Sequence, residues 1–214
     1  MIRLPVSLAV PNRLCLVIGA GQVAVRKVQT LLQAGARVRV VSPKLDPRLQ
    51  KLVRSGKIEW RPRSWKVADL NHVWLVIAAT SDPKVNRRIK REAERRRLWV
   101  NAVDDLENCS LFFLSFFNRG ELQVAVSTGG LSPALARKIR ETLDQDWNPN
   151  AGKCLEWIAA FRAQVKKKIP EPARRFRFWD QALSPQVIEM IRQGKIRALQ
   201  PAVRKTLARF QGTK

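Results

Sequence analysis

Three groups of residues in this chain have types and spacings that could do chemistry. The first is Gly19-Ala20-Gly21-Gln22-Val23-Ala24, which follows the apolar run Leu14-Cys15-Leu16-Val17-Ile18 and opens a helical pattern. It matches Gly-x-Gly-x-x-Gly/Ala. A glycine turn between a strand and a helix lets backbone N–H groups and a helix N-terminus face a pyrophosphate, which implies a dinucleotide and redox chemistry. Glycines also end strands for structural reasons alone, and that alternative stays open here. The second group is Asp104-Asp105, directly after the strand-like residues 98–103. Ligands of parallel sheets collect at the carboxyl ends of strands, so Asp104 is a candidate acid/base group; a turn or a helix cap is the alternative, and Asp105 reads as the capping member of the pair. The third is Ser127-Thr128-Gly129-Gly130 ahead of Ser132-Pro133. Hydroxyls and free N–H groups at a helix start make a site for a carboxylate, or merely an ordinary helix entry. Arg119, Arg137 and Lys138 are candidate donors to an anionic ligand, against the simpler reading of solvated surface charge.

The place that should hold the dinucleotide's ribose departs from the usual pattern. NAD enzymes often carry Asp or Glu about 20 residues beyond the turn. This chain has Ser42, Pro43 and Lys44 there. Ser42 could bond the ribose, whereas Arg39 or Lys44 could favour a 2′-phosphate, so the turn alone does not choose between NAD and NADP.

The elements that must position these groups alternate through the first hundred residues. Residues 14–18, 37–41, 58–60, 72–79 and 98–103 read as strands, and residues 23–32, 46–54 and 83–97 as helices. Gly35 and Gly56 close two of the helices, and Asp82-Pro83 caps the third. Such alternation predicts a mostly parallel sheet covered by helices. The pattern then changes. Residues 110–117 and 121–127 read as a hairpin about Asn118-Arg119-Gly120. Residues 111–117 are apolar on both faces and must be buried, a second copy of the chain being one possible cover. A helix runs from Ser132-Pro133 to about residue 143, Asn148-Pro149-Asn150 breaks it, and the rest is helical. There are no internal repeats.

Composition bounds the partners. The chain has 214 residues, enough for one large domain or two small ones, and a net charge of +24. That charge is spread over both halves rather than confined to a tail, and implies an anionic partner of open kind. Cys15, Cys109 and Cys154 lie far apart, which argues against a disulfide framework and a structural zinc site. No metal ligands are expected, and His72 reads as structural. No signal peptide or apolar run of about 18 residues is visible, so a cytoplasmic protein without membrane contact is expected.

Four blocks together resemble a known family. Gly19-Ala20-Gly21-Gln22-Val23-Ala24-Val25-Arg26-Lys27 matches its GGGxVAxRK opening, and Ile77-Ala78-Ala79-Thr80-Ser81-Asp82-Pro83-Lys84-Val85-Asn86 its IAATDDxxVN. Asn101-Ala102-Val103-Asp104-Asp105 matches NVVDD, and the run from Ser127 to Arg137 matches STGGxSPxLAR. The chain resembles the precorrin-2 dehydrogenase / sirohydrochlorin ferrochelatase family, which includes the N-terminal part of siroheme synthase. The resemblance covers roughly residues 4–145; residues 150–214 match only loosely.

The resemblance implies a fold, a reaction and roles. The fold class is α/β: a Rossmann-like NAD-binding domain over residues 1–109, a small α+β dimerisation region over 110–147 and a helical tail domain over 148–214. The reaction is oxidation of precorrin-2 to sirohydrochlorin with NAD as hydride acceptor, in siroheme biosynthesis. Several members also insert ferrous iron as a second substrate. Members are generally homodimers, and no methyltransferase part is expected here. Gly19, Gly21, Gln22, Val23, Ser42, Pro43, Lys44 and Thr80 fall at the cofactor, Asp104 at the catalytic acid/base, and Thr128, Ser132 and Arg137 at the substrate. A tetrapyrrole with eight carboxylates would account for a basic protein without nucleic acid, which is not expected as a partner. The rival reading is a nucleotide-sensing or RNA-binding regulator on the same scaffold; it explains the charge but not the last two blocks.

Overall fold

A computed structural model describes residues 4–103 and 109–212. The chain divides between residues 113 and 114 into two compact units.

In the N-terminal unit, five parallel strands form one sheet in the order β3-β2-β1-β4-β5. They are β1 (Leu14–Ile18), β2 (Arg37–Val41), β3 (Ile58–Arg61), β4 (Leu75–Ala78) and β5 (Trp99–Ala102). Three helices connect them: α1 (Gln22–Gln33), α2 (Pro47–Arg54) and α3 (Pro83–Arg95). β4 is buried along its whole length and β1 at all but its first residue, as expected of strands covered on both faces. Because successive side chains of a strand point to opposite faces, the core divides in two. Cys15, Val17, Val38, Val40, Leu75 and Ile77 pack with Val28 and Leu31 of α1 and Leu49 of α2. Leu16, Ile18, Val41, Val76 and Ala78 pack on the other face with Ile89 and Ala93 of α3. Asp46 and Asp82 cap α2 and α3 by accepting from the N–H of Arg48 and Lys84, each with proline next in line.

Two of the expected strands begin more than one residue later than the apolar runs suggested. The run from residue 72 becomes strand only at Leu75. A 3-10 turn (Val67–Leu70), marked by no local pattern, precedes it, and His72 takes φ +59°, a left-handed conformation no strand holds. The hairpin strand expected from residue 110 begins at Ser115. Ahead of it, the Ser110 and Leu111 N–H groups both donate to the Val100 carbonyl, at 3.1 and 3.2 Å, so this segment lies beside β5 outside a regular ladder. Leu111 and Phe113 pack on one core of the sheet and Phe112 on the other. The two-faced apolarity of residues 111–113 is thus met within their own unit.

The C-terminal unit holds an antiparallel hairpin, β6 (Ser115–Arg119) and β7 (Leu122–Val126), with α4 (Pro133–Asp146) against it. Four more helices follow: α5 (Ala151–Lys168), α6 (Pro172–Ala182), α7 (Pro185–Arg192) and α8 (Ile196–Gly212). They enclose a core that includes Cys154, Phe161, Phe178, Leu199 and Val203. Gly152 lets α5 approach the hairpin turn, since a Cβ there would lie 2.2 Å from the Arg119 carbonyl oxygen.

Candidate functional site: a cleft at the C-terminal rim of the sheet

The register places Ile18 beside Val41 and Ala78, so β1, β2 and β4 end level. The chain runs outward from β1 in one direction through β2 and β3, and in the other through β4 and β5. The crevice beyond the carboxyl ends at such a reversal is where ligands of open α/β sheets bind. A cleft of about 760 Å³ lies there, lined among others by Gly19, Gly21, Ser42, Lys44, Trp65 and Thr80.

The two glycines do different work. The Gly19 N–H donates to the Val41 carbonyl at 3.0 Å, and the Ala79 N–H to the Ile18 carbonyl at 2.8 Å. The glycine turn and the end of β4 are thereby drawn together. Gly19 has φ +101°, and a Cβ on it would lie 2.2 Å from the Ala79 carbonyl oxygen. Gly21 has an ordinary extended backbone, and a Cβ on it would meet nothing within 4 Å. It stands at the N-cap of α1, which has no side-chain cap and no acidic residue in its first turn. The positive end of the helix dipole is therefore left for an anion, with open space in front of it. An open backbone cradle, an uncapped helix start and a cleft of this volume fit a dinucleotide.

Of the cofactor residues expected from the sequence, Gly19, Gly21, Ser42, Pro43, Lys44 and Thr80 line the cleft. Gln22 and Val23 are the first two residues of α1 and are exposed. Thr80 is held by Asn86, itself buried: the Thr80 hydroxyl donates to Asn86 Oδ1 at 2.7 Å, and Asn86 Nδ2 donates to the Thr80 carbonyl at 3.1 Å. Arg39 is drawn to Glu59, with Nε 2.7 Å from Oε2. Lys44 is thus the one of the two basic candidates that lines the cleft.

Several lining residues escaped the sequence reading. Asp46 lines the cleft, but Arg48 Nε, Arg48 Nη2 and the Arg48 N–H all donate to its carboxylate at 2.8–2.9 Å. Those hydrogen bonds hold its pKa down at about 2, so the carboxylate stays ionised and engaged. Trp65, Val85 and Arg88 also line the cleft. Only Val85, inside the fourth-strand motif, carried any sequence signal. Behind the glycine turn, Lys27 places its ammonium 3.8 Å from the centre of the Phe113 ring. Burial lowers its pKa to about 8.

Asp104 and Asp105 lie outside the described residues. β5, which leads to them, is anchored by Asn101, whose Nδ2 donates to the Leu111 carbonyl at 3.0 Å. Cys109 Sγ donates to the Ala102 carbonyl at 3.0 Å and accepts from the Ala102 N–H at 3.1 Å.

The substrate candidates lie in the C-terminal unit. The Thr128 hydroxyl accepts from the Ser132 N–H at 3.1 Å and donates to the Ser132 carbonyl at 3.0 Å. The Ser132 hydroxyl caps α4 by accepting from the Leu135 N–H at 3.2 Å. Arg137 is exposed, with Nε 3.8 Å from Glu141. Arg119 points into its own unit instead. Its Nη2 donates to Asp144 Oδ1 at 2.5 Å and to the Asp144 carbonyl at 2.8 Å, and its Nε to the Trp147 carbonyl at 3.0 Å. Among the described residues no three His, Cys, Asp or Glu side chains gather as metal ligands, and no helix is long and apolar enough to cross a membrane.

Comparison with known proteins agrees with this geometry. Residues 6–115 match the family described as "Putative NAD(P)-binding". Residues 119–145 match the "Sirohaem biosynthesis protein central" family, and residues 150–207 the "Sirohaem synthase dimerisation region". The chain is 37% identical over 207 residues to siroheme synthase 1 of Serratia proteamaculans, covering 97% of this chain and 44% of that protein. It is 40% identical over 203 residues to a siroheme synthase of Thioalkalivibrio sulfidiphilus, covering 95% and 42%. It therefore spans less than half the length of these relatives. Among solved structures, SirC, a precorrin-2 dehydrogenase, shares the fold with a TM-score of 0.74 at 23% identity, over 98% of this chain and 100% of that one. A glycine turn under an open cleft, in a chain that matches three successive family models, leads to one conclusion: the chain belongs to the NAD(P)-binding family matched by residues 6–115, and the sirohaem central and dimerisation families match the residues that follow.

Proposed function

We propose that this chain is an NAD-dependent dehydrogenase that oxidises precorrin-2 to sirohydrochlorin in siroheme biosynthesis. The observation that carries the reading is the open cleft above Gly21, where an uncapped helix start meets a rim of Ser42, Lys44 and Thr80. The comparisons support the substrate class: the relatives are siroheme synthases, and the structural neighbour is a precorrin-2 dehydrogenase.

In this reading NAD, when bound, supplies the hydride acceptor. The Gly19-Ala20-Gly21 backbone and the first turn of α1 hold its pyrophosphate, with Gln22 and Val23 beside it. Ser42, Pro43 and Lys44 meet the ribose on the β2 side. Asn86 fixes Thr80, which meets the ribose on the β4 side. Dehydrogenation also releases a proton, and Asp104, following β5, is the carboxylate that takes it. Arg137 offers its guanidinium and Ser132 its hydroxyl proton to the carboxylates of the tetrapyrrole, and Thr128, bonded to Ser132, holds that helix entry in place. The reading extends to ferrous iron as a second substrate, with Asp104 the residue to receive pyrrole protons. The chain works as a homodimer in the cytoplasm; the match to a dimerisation region supports the first, and three buried cysteines that form no disulfide support the second.

The test is a pair of measurements on Asp104→Asn. Removal of a general base typically lowers turnover by about 100-fold or more. Loss of turnover with unchanged NAD affinity supports the reading; wild-type turnover in the variant overturns the role of Asp104. Siroheme formation on adding ferrous iron without a separate chelatase supports the second activity, and sirohydrochlorin as the end product rejects it.

A further inference from the structure

The loop between β3 and the 3-10 turn is fixed far more firmly than a connection requires. Asp69 is 1% exposed, and four donors converge on its carboxylate. Arg61 Nη1 and Arg63 Nη2 donate to Oδ1 at 2.9 and 2.7 Å, and Arg63 Nη1 and the Lys66 N–H to Oδ2, both at 2.8 Å. The clamp spans residues 61–69 and holds Ser64 and Trp65 between its ends. Both line the cleft. Arg88, from α3, also lines the cleft, and its guanidinium carbon lies 5.5 Å from the centre of the Trp65 ring. Nothing in the cofactor assignment above uses Trp65, Arg88 or Asp69.

The position of this pair says which end of a dinucleotide it would meet. The loop follows β3, at the sheet edge opposite β5. The reacting ring must lie toward β5, because Asp104 follows that strand two residues after its end. The β2–β3 side is then left for the other nucleotide. A tryptophan backed by a guanidinium offers a flat π surface, with no acid or base to react. From this juxtaposition, and resting on the NAD reading above, we infer that Trp65 with Arg88 is the platform on which the adenine base packs, and that Asp69 is the positioning residue that holds Trp65 there.

The test titrates ADP-ribose, the dinucleotide without its nicotinamide, into the full chain. Base–aromatic stacking is worth a factor of about 5 to 150 in affinity. Trp65→Ala is expected to weaken ADP-ribose at least about fivefold and to raise the KM for NAD in parallel with little change in kcat, while Trp65→Phe recovers most of the affinity. Asp69→Asn is expected to weaken ADP-ribose in the same direction. Should Trp65→Ala fold poorly, intrinsic fluorescence gives an independent reading: ADP-ribose quenches wild-type emission, and the quench is smaller in Trp65→Phe. Wild-type affinity in Trp65→Ala, or an equal quench in Trp65→Phe, overturns the platform while leaving the NAD reading intact. A wild-type chain that binds neither ADP-ribose nor NAD overturns both.

Discussion

Adding a single methyl group at each of the two turn glycines should separate folding from binding. In Gly19→Ala, the new Cβ would lie 2.2 Å from the Ala79 carbonyl oxygen and φ would remain near +101°. A non-glycine residue in such a conformation costs about 1–3 kcal/mol, and relieving the overlap by moving backbone costs a further 1–3 kcal/mol or so. The sum is about 2–6 kcal/mol, a large part of the roughly 5–15 kcal/mol of a typical domain. In Gly21→Ala, the backbone is ordinary and the Cβ meets nothing within 4 Å, so stability should change by no more than about 0.5 kcal/mol. That same Cβ enters the space assigned to the pyrophosphate, so NAD affinity should fall by about tenfold or more, equivalent to about 1.4 kcal/mol. Urea unfolding gives the first quantity and NAD titration the second. Equal destabilisation by both variants, or wild-type NAD affinity in Gly21→Ala, would refute the division of labour.

Other perturbations have distinct signatures. Lys27 titrates near 8 when folded and near 10.5 when exposed, so between those values the unfolded chain holds more protons and stability rises with pH. The gain is up to about 3 kcal/mol; urea midpoints of wild type against Lys27→Met, compared below 8 and near 10, should show it in wild type alone. Arg119→Met strands the Trp147 and Asp144 carbonyls and should destabilise the C-terminal unit by about 2 kcal/mol or more, read by urea unfolding. Arg137→Met, exposed as it is, should stay within about 0.5 kcal/mol of wild type in the same assay and instead raise the KM for the tetrapyrrole.

The sequence was most legible where local chemistry and tertiary packing agree. The strand–glycine–helix succession around Gly19 and the Asp82-Pro83 cap of α3 are short-range signals, and the elements formed where they pointed. The expected strand from His72 illustrates the opposite case: its apolar run is real, but a left-handed residue ends the preceding turn, and the conformation of a single residue has no periodicity to read. Residues 111–113 read as a strand because both faces are apolar, yet their side chains divide between the two cores beside β5. Trp65 was invisible for a further reason. Its place at the cleft depends on a buried carboxylate four residues on and on two arginines that precede it, a set of contacts that only the folded loop brings together. Arg119 looked like a ligand donor by charge and turned out to brace the hairpin, because two backbone carbonyls at the end of α4 needed a partner.

The most direct measurement mixes the purified chain with precorrin-2 and NAD under anaerobic conditions and follows both products. One NADH should appear for each sirohydrochlorin formed, with neither produced when NAD is left out. Tetrapyrrole oxidation that proceeds without consuming NAD, or a bound pair that yields no NADH, would contradict the account.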